Sequence, residues 1–279
     1  MKLDGKQIAS DILGELRNKV EILRKENIIP TLLVVLVGNN EQSIAYIKQK
    51  ELKAAEIGAR TEVLTFDNNL TFETAKKLVE KSNADPLVHG LIIQRPAPDY
   101  LRVDELSKLI DPKKEIDGFG ENSPYIVPVA EAIEVLLRKA FEESGGEGNF
   151  ENWIKKKNLV VMGKGETAGG PIIIHLKKLG INPQVIDSKT ENPKDLTKNA
   201  DILISAVGKD KAVTPEMLKK GVILIGVGLH TDEEGKLRGD FHADEIRDIV
   251  SFYSPTPGGV GPVNVASLMR NLVKSARLR

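Results

Sequence analysis

The sequence predicts an α/β protein of two domains, and three observations support this prediction. The chain has 279 residues, more than one small domain needs and enough for two α/β domains that share a cleft. Short apolar runs rich in β-branched residues alternate with segments of helical periodicity, which is typical of a mostly parallel sheet covered by helices. A glycine-rich run at residues 163–171 lies between a predicted strand and a predicted helix. We therefore expect a second α/β unit built around that run.

The amino-acid composition excludes several kinds of binding and catalytic site. Hydrophobic residues make up 41% of the chain, which is enough for a packed core. The 40 basic and 40 acidic residues balance, so nothing favours non-specific binding to nucleic acid or to an anionic membrane surface. The chain has no cysteine, which excludes disulfides, thiolate nucleophiles and cysteine-based metal sites and favours a cytoplasmic location.

The sequence carries no signal for a membrane or for a metal. The first ten residues contain no apolar signal region, and the longest apolar run, at 32–37, is far shorter than the roughly 20 residues that a membrane span needs. The four histidines show no HExxH or comparable spacing. We therefore expect a soluble, unprocessed protein without a metal site.

The first half of the chain alternates predicted helices and strands. Apolar residues recur at helical spacing behind Asp4, a candidate helix cap. The predicted elements are a helix at 4–26, a strand at 32–37, a helix at 41–58, a strand at 62–66, a helix at 72–81 and a strand at 88–93.

The helix at 41–58 carries a tyrosine and a lysine one turn apart, Tyr46 and Lys50. Because this helix follows the carboxyl end of a buried strand, the pair is predicted at the edge where open α/β sheets bind ligands. A single lysine on an amphipathic helix is more often a solvated surface residue. The pair needs support from other motifs before a role can be assigned.

Two more polar residues of this half, Gln94 and Asp117, lie just outside predicted elements. Gln94 follows the strand at 88–93, and Pro96 and Pro98 force an extended exit that holds it at the sheet edge. Asp117 lies in a turn with the glycine that follows it. Taken singly, both residues are explained by loop hydrogen bonds, with Asp117 forming an Asx turn.

The second half predicts a dinucleotide site. Gly163, Gly165 and Ala168 fit GxGxxG/A between a strand at 159–162 and a helix that ends at Leu179. Glycines at these positions let backbone N–H groups approach a pyrophosphate at a helix N-terminus. The other predicted elements are a helix at 128–143, a flexible link at 144–149 and strands at 184–186, 201–205 and 222–225.

Residues at the ends of these strands bear on the coenzyme. Asp187 follows the strand at 184–186, where an acid ordinarily binds the ribose 2′-hydroxyl of NAD, whereas nearby basic groups accommodate the 2′-phosphate of NADP. Tight turns follow the next two strands, at 206–208 and 226–229. Six of the nine residues at 254–262 are glycine or proline, more than a helix-entry loop needs, and such a loop lets backbone approach a ligand.

Together these motifs resemble one family, the bifunctional methylenetetrahydrofolate dehydrogenases/methenyltetrahydrofolate cyclohydrolases. The likeness covers essentially the whole chain, and the order and spacing of five motifs make it far more specific than any one of them. The motifs are VGxxxxSxxYxxxK at 37–50, QxPxP at 94–98, DGF at 117–119, GxGxxxGxP at 163–171 and SPTPGGVGP at 254–262.

The resemblance implies a fold, a coenzyme and an assembly. It implies a folate-binding catalytic domain at 1–127, completed by the C-terminal helix at 260–279, and a Rossmann NAD(P)-binding domain at 128–259. It also implies NADP, with NAD possible, and a cytoplasmic homodimer built through the Rossmann domain that serves purine biosynthesis. The residues expected at the coenzyme are Gly163, Lys164, Gly165, Ala168, Gly169, Ser188, Lys189, Ala206, Gly208 and Leu229.

The resemblance also implies catalytic roles. Lys50 is the expected general acid/base, Gln94 holds it, Tyr46 lies against the folate and Asp117 hydrogen-bonds the pterin. The loop residues Pro257, Gly258 and Gly259 are expected to line the substrate site. The expected reactions are oxidation of 5,10-methylenetetrahydrofolate to the 5,10-methenyl compound and hydrolysis of that compound to 10-formyltetrahydrofolate.

The residues that depart from the family pattern affect mainly the expected binding of the coenzyme. Lys164-Gly165 replaces the family's Arg-Ser, so a point charge stands where a forked guanidinium could hold a 2′-phosphate. Asp187 stands where a histidine is common, which favours NAD, whereas Ser188 and Lys189 favour NADP. We expect NADP, because the basic residues Lys164 and Lys189 outnumber the one acid, Asp187.

Three other functions remain open on sequence alone. A shikimate-type dehydrogenase would also pair a lysine with an acid, but it does not explain the Gln94 motif or the loop at 254–262. A nucleotide-sensing protein without chemistry would be expected to lack Lys50 or Gln94. A cyclohydrolase that has lost its coenzyme would be compatible with the altered glycine-rich run.

Overall fold

Two parallel sheets organise the chain, one in each of the two units into which it divides. The computed structural model describes residues 1–120 and 122–278. The first unit contains Ala9–Pro128 and residues 265–278, and the second contains Met1–Ile8 and Val129–Asn264. The first eight residues therefore lie with the second unit, which departs from the expected assignment of 1–127.

The first 120 residues contain four α-helices, a 3₁₀ helix at Asp99–Leu101 and three strands. The helix α1 begins behind Asp4, whose carboxylate accepts hydrogen bonds from the backbone N–H groups of Lys6 and Gln7, as the sequence predicted. The elements are α1 (Gly5–Lys25), β1 (Thr31–Val37), α2 (Glu41–Glu56), β2 (Arg60–Phe66), α3 (Phe72–Ala84), β3 (Gly90–Ile93) and α4 (Val103–Leu109).

The first unit is built on a three-stranded parallel sheet with the order β2-β1-β3. All seven residues of β1 are buried, because this strand is central and has neighbours on both edges and packing on both faces. β2 is an edge strand of mostly exposed and half-buried residues. The carboxyl ends of β1 and β3 thus lie side by side, paired as far as Val35 and Ile93.

The second unit is built on a five-stranded parallel sheet with the order β10-β7-β6-β4-β5, and β8 and β9 pair separately as an antiparallel hairpin. Every residue of β4 and β6 is buried. The elements are α5 (Pro128–Glu143), α6 (Phe150–Lys155), β4 (Leu159–Met162), α7 (Gly169–Lys178), β5 (Gln184–Ile186), α8 (Pro193–Lys198), β6 (Ile202–Ser205), β7 (Ile223–Gly226), β8 (Leu229–Thr231), β9 (Leu237–Gly239), α9 (Ala243–Ile246), β10 (Phe252–Tyr253) and α10 (Val260–Arg277).

Both ends of the chain are tied into the unit to which they belong. In the second unit, Leu3 N donates to the carbonyl of Tyr253 at 2.8 Å, and Tyr253 N donates to that of Met1 at 3.0 Å. In the first unit, Asn271 Nδ2 of α10 donates to the carbonyls of Ile116 and Ile126, both at 2.9 Å. The C-terminal half of α10 therefore completes the first unit.

Most predicted elements are present, with shifted ends. The strand predicted at 88–93 begins at Gly90, and the one predicted at 62–66 begins two residues earlier, at Arg60. The short elements α6, α8, α9, β8, β9 and β10 were not predicted, because none of them has an apolar run as long as those of β4 and β6. Among the helices described, none is both long and apolar enough to cross a membrane.

Candidate active site

The centre of the first unit's site is a hydrogen bond between Lys50 and Gln94. Helix α2 starts after Asn40, whose side chain accepts from Ser43 N at 2.9 Å, and it carries Lys50 beside the end of β3. There Lys50 Nζ donates to Gln94 Oε1 at 2.9 Å. A backbone bond from Gln94 N to the carbonyl of Val35, at 2.9 Å, fixes the glutamine to the sheet.

The other end of the Gln94 amide sets which atom faces the lysine. Gln94 Nε2 donates to the carbonyl of Arg95 at 2.6 Å, so the amide oxygen points to the ammonium. Ser43 Oγ donates to the same carbonyl at 3.4 Å. The side chain of Gln94 is buried, with 8% of the residue exposed, and a buried amide with both ends bonded is held in one orientation.

The electrostatics around Lys50 favour loss of its proton. Burial lowers the pKa of the Lys50 ammonium, and the negative charge of Asp117 opposes this effect. Burial raises the pKa of the Asp117 carboxyl, opposed by the charges of Lys50 and Arg95. Taking an ammonium out of water penalises its charged form, so a neutral amine becomes accessible nearer physiological pH than for a surface lysine.

Tyr46 lies one turn before Lys50 on α2, as the helical spacing predicted. The residue is 43% exposed, and burial of its phenol raises its pKa, so the hydroxyl stays protonated. A half-exposed aromatic ring beside a bound amine offers a flat surface for a planar ligand. The structure thus brings four predicted residues, Lys50, Gln94, Tyr46 and Asp117, into the first unit.

The glycine-rich turn of the second unit fits a dinucleotide. Gly163 has φ +95°, and a Cβ there would lie 2.4 Å from the carbonyl oxygen of Ala206. A Cβ at Gly169 would lie 2.0 Å from the carbonyl oxygen of Gly163, whereas one at Gly165 would meet nothing within 4 Å. Glycine is therefore required where α7 closes against β4, and the outer side of the turn is open at the N-terminus of a ten-residue helix.

Lys164 and Asp187, the two residues that depart from the family pattern near the expected coenzyme, form an ion pair. Lys164 Nζ lies 2.7 Å from Asp187 Oδ2, and Lys189 N donates to Asp187 Oδ1 at 2.9 Å. The hydrogen bond from Lys164, helped by that from Lys189 N, lowers the pKa of Asp187 to about 2. The ammonium and side chain of Lys164 remain largely exposed, and Ser188 and Lys189 are exposed beside it.

Comparison with known proteins identifies two domains of one family in the chain. Residues 3–117 match the catalytic domain of the tetrahydrofolate dehydrogenase/cyclohydrolases, and residues 149–279 match their NAD(P)-binding domain. The chain belongs to this family. The predicted α/β fold and the dehydrogenase and cyclohydrolase activities are thereby confirmed, as is a coenzyme of the NAD(P) type.

Relatives of the family resemble the chain over nearly its full length. The bifunctional protein FolD of Lactococcus lactis is 33% identical over 283 residues, covering 98% of this chain and 96% of the relative. The crystal structure of the bifunctional enzyme FolD from Campylobacter jejuni has a TM-score of 0.92 at 30% identity, covering 100% and 99% of the two chains. A Trypanosoma brucei enzyme, solved with NADP and an inhibitor, has a TM-score of 0.89 at 28% identity, covering 100% and 97%.

Asp240 is a residue of the family's coenzyme domain that sequence reasoning missed. Its carboxylate is fully buried and accepts from Ser205 Oγ at 2.6 Å and from the backbone N–H groups of Val207, Gly208 and Lys209 at 3.0, 2.7 and 3.1 Å. These N–H groups are thus already bonded within the protein. The predicted coenzyme contacts at Ala206 and Gly208 would therefore come from the carbonyls and Cα atoms of this turn.

Glu115 is a second missed residue, in the catalytic domain. It is 5% exposed, and burial raises its pKa to about 7, despite hydrogen bonds from the backbone of Gly120 and Phe119. The sequence offered one weak signal, an acid two residues before Asp117. A single acid at this spacing gives no indication that Glu115 is buried.

The predicted substrate loop belongs to the second unit. Gly258 has φ +103°, and a Cβ at Gly259 would lie 2.6 Å from the carbonyl oxygen of Pro255. A Cβ at Gly5 would lie 1.8 Å from the carbonyl oxygen of Gly259, so the loop packs directly on the start of α1. Leu229, expected at the coenzyme, is partly exposed at the start of β8 in the same unit.

Proposed function

We propose that this enzyme uses NADP to oxidise 5,10-methylenetetrahydrofolate and then hydrolyses the 5,10-methenyl product, with Lys50 as the proton-transfer group. The observation that supports this role is the hydrogen bond from the desolvated Lys50 ammonium to the buried amide of Gln94. A lysine held in this way can exchange a proton near neutral pH, unlike a surface lysine.

The dehydrogenase step needs orientation more than acid or base catalysis. A hydride leaves the methylene carbon between N5 and N10, which leaves a cationic methenyl group on the folate. The nicotinamide coenzyme, when bound, accepts that hydride. In this chain Tyr46 supports one face of the pterin, and Asp117 accepts from the N–H donors at its edge. Both contacts restrict the substrate to a reactive position.

The cyclohydrolase step needs a group that both accepts and returns a proton. Water adds to the cationic methenyl carbon, and the neutral amine of Lys50 removes a proton from that water. The C–N5 bond then breaks, N5 takes a proton from the Lys50 ammonium, and the formyl group stays on N10. Hydrolysis releases one proton overall. The positive charge of the substrate adds to burial in favouring the neutral amine.

The preference for NADP is supported by charge at the ends of β4 and β5. Lys164 and Lys189 are exposed there, and the ion pair with Lys164 compensates the charge of Asp187. Two lysines and one acid would leave one net positive charge to meet a 2′-phosphate. An NAD-dependent enzyme is the second candidate, because Asp187 can accept a ribose 2′-hydroxyl. Parallel assays with NADP and NAD decide between them.

Substitution of Lys50 tests the catalytic assignment. We expect Lys50→Met to lower the cyclohydrolase rate at least about 100-fold, since the amine is the base for water. The decay of methenyl absorbance measures this rate. Lys48→Met is the matched control, because Lys48 is an exposed lysine of the same helix. Full cyclohydrolase activity in Lys50→Met would show that the assignment is wrong.

The assembly and location remain part of the proposal. The family resemblance supports a homodimer formed through the NAD(P)-binding domain and a cytoplasmic enzyme that supplies one-carbon units for purine biosynthesis. Light scattering coupled to size-exclusion chromatography measures the mass directly. A particle of 30.6 kDa, the mass of one chain, would exclude the dimer.

A further inference from the structure

Arg95 is a cation of the first unit's site that has no part in the reactions above. It follows Gln94 directly, and its carbonyl oxygen accepts from Gln94 Nε2 at 2.6 Å and from Ser43 Oγ at 3.4 Å. Ser43 and Gln94 are both buried, so the backbone of Arg95 is fixed beside the amide that holds Lys50. The main chain of Arg95 thus lies at the inner end of the site.

The side chain of Arg95 runs from this position towards solvent. Its guanidinium pairs with the carboxylate of Asp104, in the first turn of α4, and 41% of the Arg95 side chain and 76% of the Asp104 side chain are exposed. Among the described residues, Asp104 accepts the only hydrogen bond that the guanidinium donates. A guanidinium has more N–H donors than one carboxylate oxygen uses, and its forked geometry fits a further carboxylate.

The charged groups around Arg95 leave its guanidinium accessible to an anion. The charge of Arg95 acts on Asp117, where it opposes the rise in the Asp117 pKa that burial causes. Lys50 also acts on Asp117, but its ammonium is desolvated and bonded to Gln94. Asp104 lies mostly in water, where the attraction within an exposed ion pair is weak. An incoming carboxylate can therefore bind Arg95 more readily than Lys50.

The substrate carries such a carboxylate at the end opposite its pterin. Tetrahydrofolate ends in a glutamate, which has one carboxylate on its α-carbon and another on its side chain. With the pterin at the half-buried Asp117, these groups stay near water, because burying an unpaired charge is costly. Arg95 extends from the inner end of the site to its exposed rim, so its guanidinium lies where an anionic tail emerges.

We propose that Arg95 binds a carboxylate of the glutamate tail of the folate, and that it determines specificity for substrates that carry this tail. The inference rests on the proposed function, with the pterin at Asp117. On binding, the guanidinium donates to the tail from N–H groups that Asp104 does not use. The tail thereby adds affinity without contacting the reacting carbon.

Blocking the tail carboxylates tests this contact. The probes are tetrahydrofolate and its dimethyl ester, which keeps the pterin but has no charge on the tail, each titrated by calorimetry without coenzyme. We expect the wild-type protein to bind the ester about fivefold more weakly, the size of a partly exposed charge pair. Arg95→Met should bind tetrahydrofolate about fivefold more weakly than wild type and the ester equally well. Arg95→Lys should lie between them, because lysine keeps the charge but not the fork.

A matched control separates the contact from a change in net charge. Arg60 is an exposed arginine at the start of β2, at the opposite end of the same parallel sheet. Arg60→Met should therefore leave both affinities unchanged.

The outcomes distinguish this inference from the proposed function. If the wild-type protein binds neither probe, the proposed function is wrong and the role of Arg95 is wrong with it. If the wild-type protein binds both probes equally, only the role of Arg95 is wrong. The same conclusion follows if Arg95→Met distinguishes the two probes as strongly as the wild-type protein does.

Discussion

At the scale of the residue, Gln94 restricts where the Lys50 amine can be. The glutamine bonds Lys50 with one end and the carbonyl of Arg95 with the other. A lysine side chain has four rotatable bonds, so its ammonium has no fixed position without such a partner. In the proposed mechanism, Gln94 therefore orients the amine and Lys50 transfers the proton.

Loss of this restraint should affect the hydrolytic step most. We expect Gln94→Ala to lower the cyclohydrolase kcat about 10- to 100-fold, because the amine is no longer held against its target. Gln94→Glu is the informative partner, since a carboxylate would hold the ammonium but favour its protonated form. Steady-state kinetics on the methenyl substrate measure both variants. A kcat within twofold of wild type for Gln94→Ala would contradict this role.

The raised pKa of Glu115 predicts an effect on the free energy of unfolding that does not depend on a bound ligand. Its pKa is raised from 4.5 to about 7, so the folded state holds a proton that the unfolded state has lost. The stability from the neutral carboxyl is fully present below pH 4.5 and is lost as pH rises through 7. The rise of the Glu115 pKa from 4.5 to about 7 corresponds to roughly 3 kcal/mol of free energy of unfolding as an upper value.

Urea unfolding of Glu115→Gln at two pH values checks this contribution. Relative to wild type, the variant should gain stability between pH 5 and pH 8, because it has no carboxyl to ionise. Glu142→Gln is the control, since Glu142 is an exposed glutamate with 65% of its side chain accessible. An equal difference from wild type at both pH values would exclude the linkage.

At the scale of the element, two loops of the coenzyme domain share one ion pair. Lys164 follows β4 and Asp187 follows β5, which are neighbouring parallel strands. With Lys164 bound to Asp187, neither residue alone decides the coenzyme. In the proposed binding of NADP, the choice between the two coenzymes depends on whether Lys164 leaves Asp187 for the 2′-phosphate.

Single substitutions should move coenzyme preference in opposite directions. Asp187→Asn should raise affinity for 2′,5′-ADP relative to 5′-AMP by about tenfold, because the lysine is released and the acid removed. Lys164→Met should lower that ratio and leave Asp187 to bind a 2′-hydroxyl. Calorimetric titration with the two nucleotides measures this without turnover. A ratio unchanged in both variants would place the 2′-phosphate elsewhere.

Sequence patterns singled out the proposed catalytic residues, whose roles stay a prediction, but not the buried acids Glu115 and Asp240 that hold neighbouring turns. The pairing of Tyr46 with Lys50 follows from helical spacing, and the position of Gln94 follows from its place at a strand end. Asp240 could not be found in this way, since it lies more than 30 residues beyond the turn it holds. The hairpin of β8 and β9 was missed because its strands, Leu229–Thr231 and Leu237–Gly239, are short, mostly exposed and interrupted by polar residues.

At the scale of the whole molecule, charge is balanced. The sequence has a net charge of zero at pH 7 and an isoelectric point near 6.9. Solubility should therefore be lowest near pH 7 and should rise on either side, most clearly at low salt. The protein concentration that remains after centrifugation at several pH values measures this. A minimum elsewhere would indicate that local charge patches dominate.

Because the segments of the two units alternate along the chain, the exchange of one domain with a relative is not a single replacement. Each unit is assembled from two separate segments, so the polypeptide passes from one to the other at residues 8, 128 and 264. A chimaera that exchanges one complete domain with a relative must therefore join the chains at three junctions. A single crossover at residue 128 would leave each of the two units with segments from both parents.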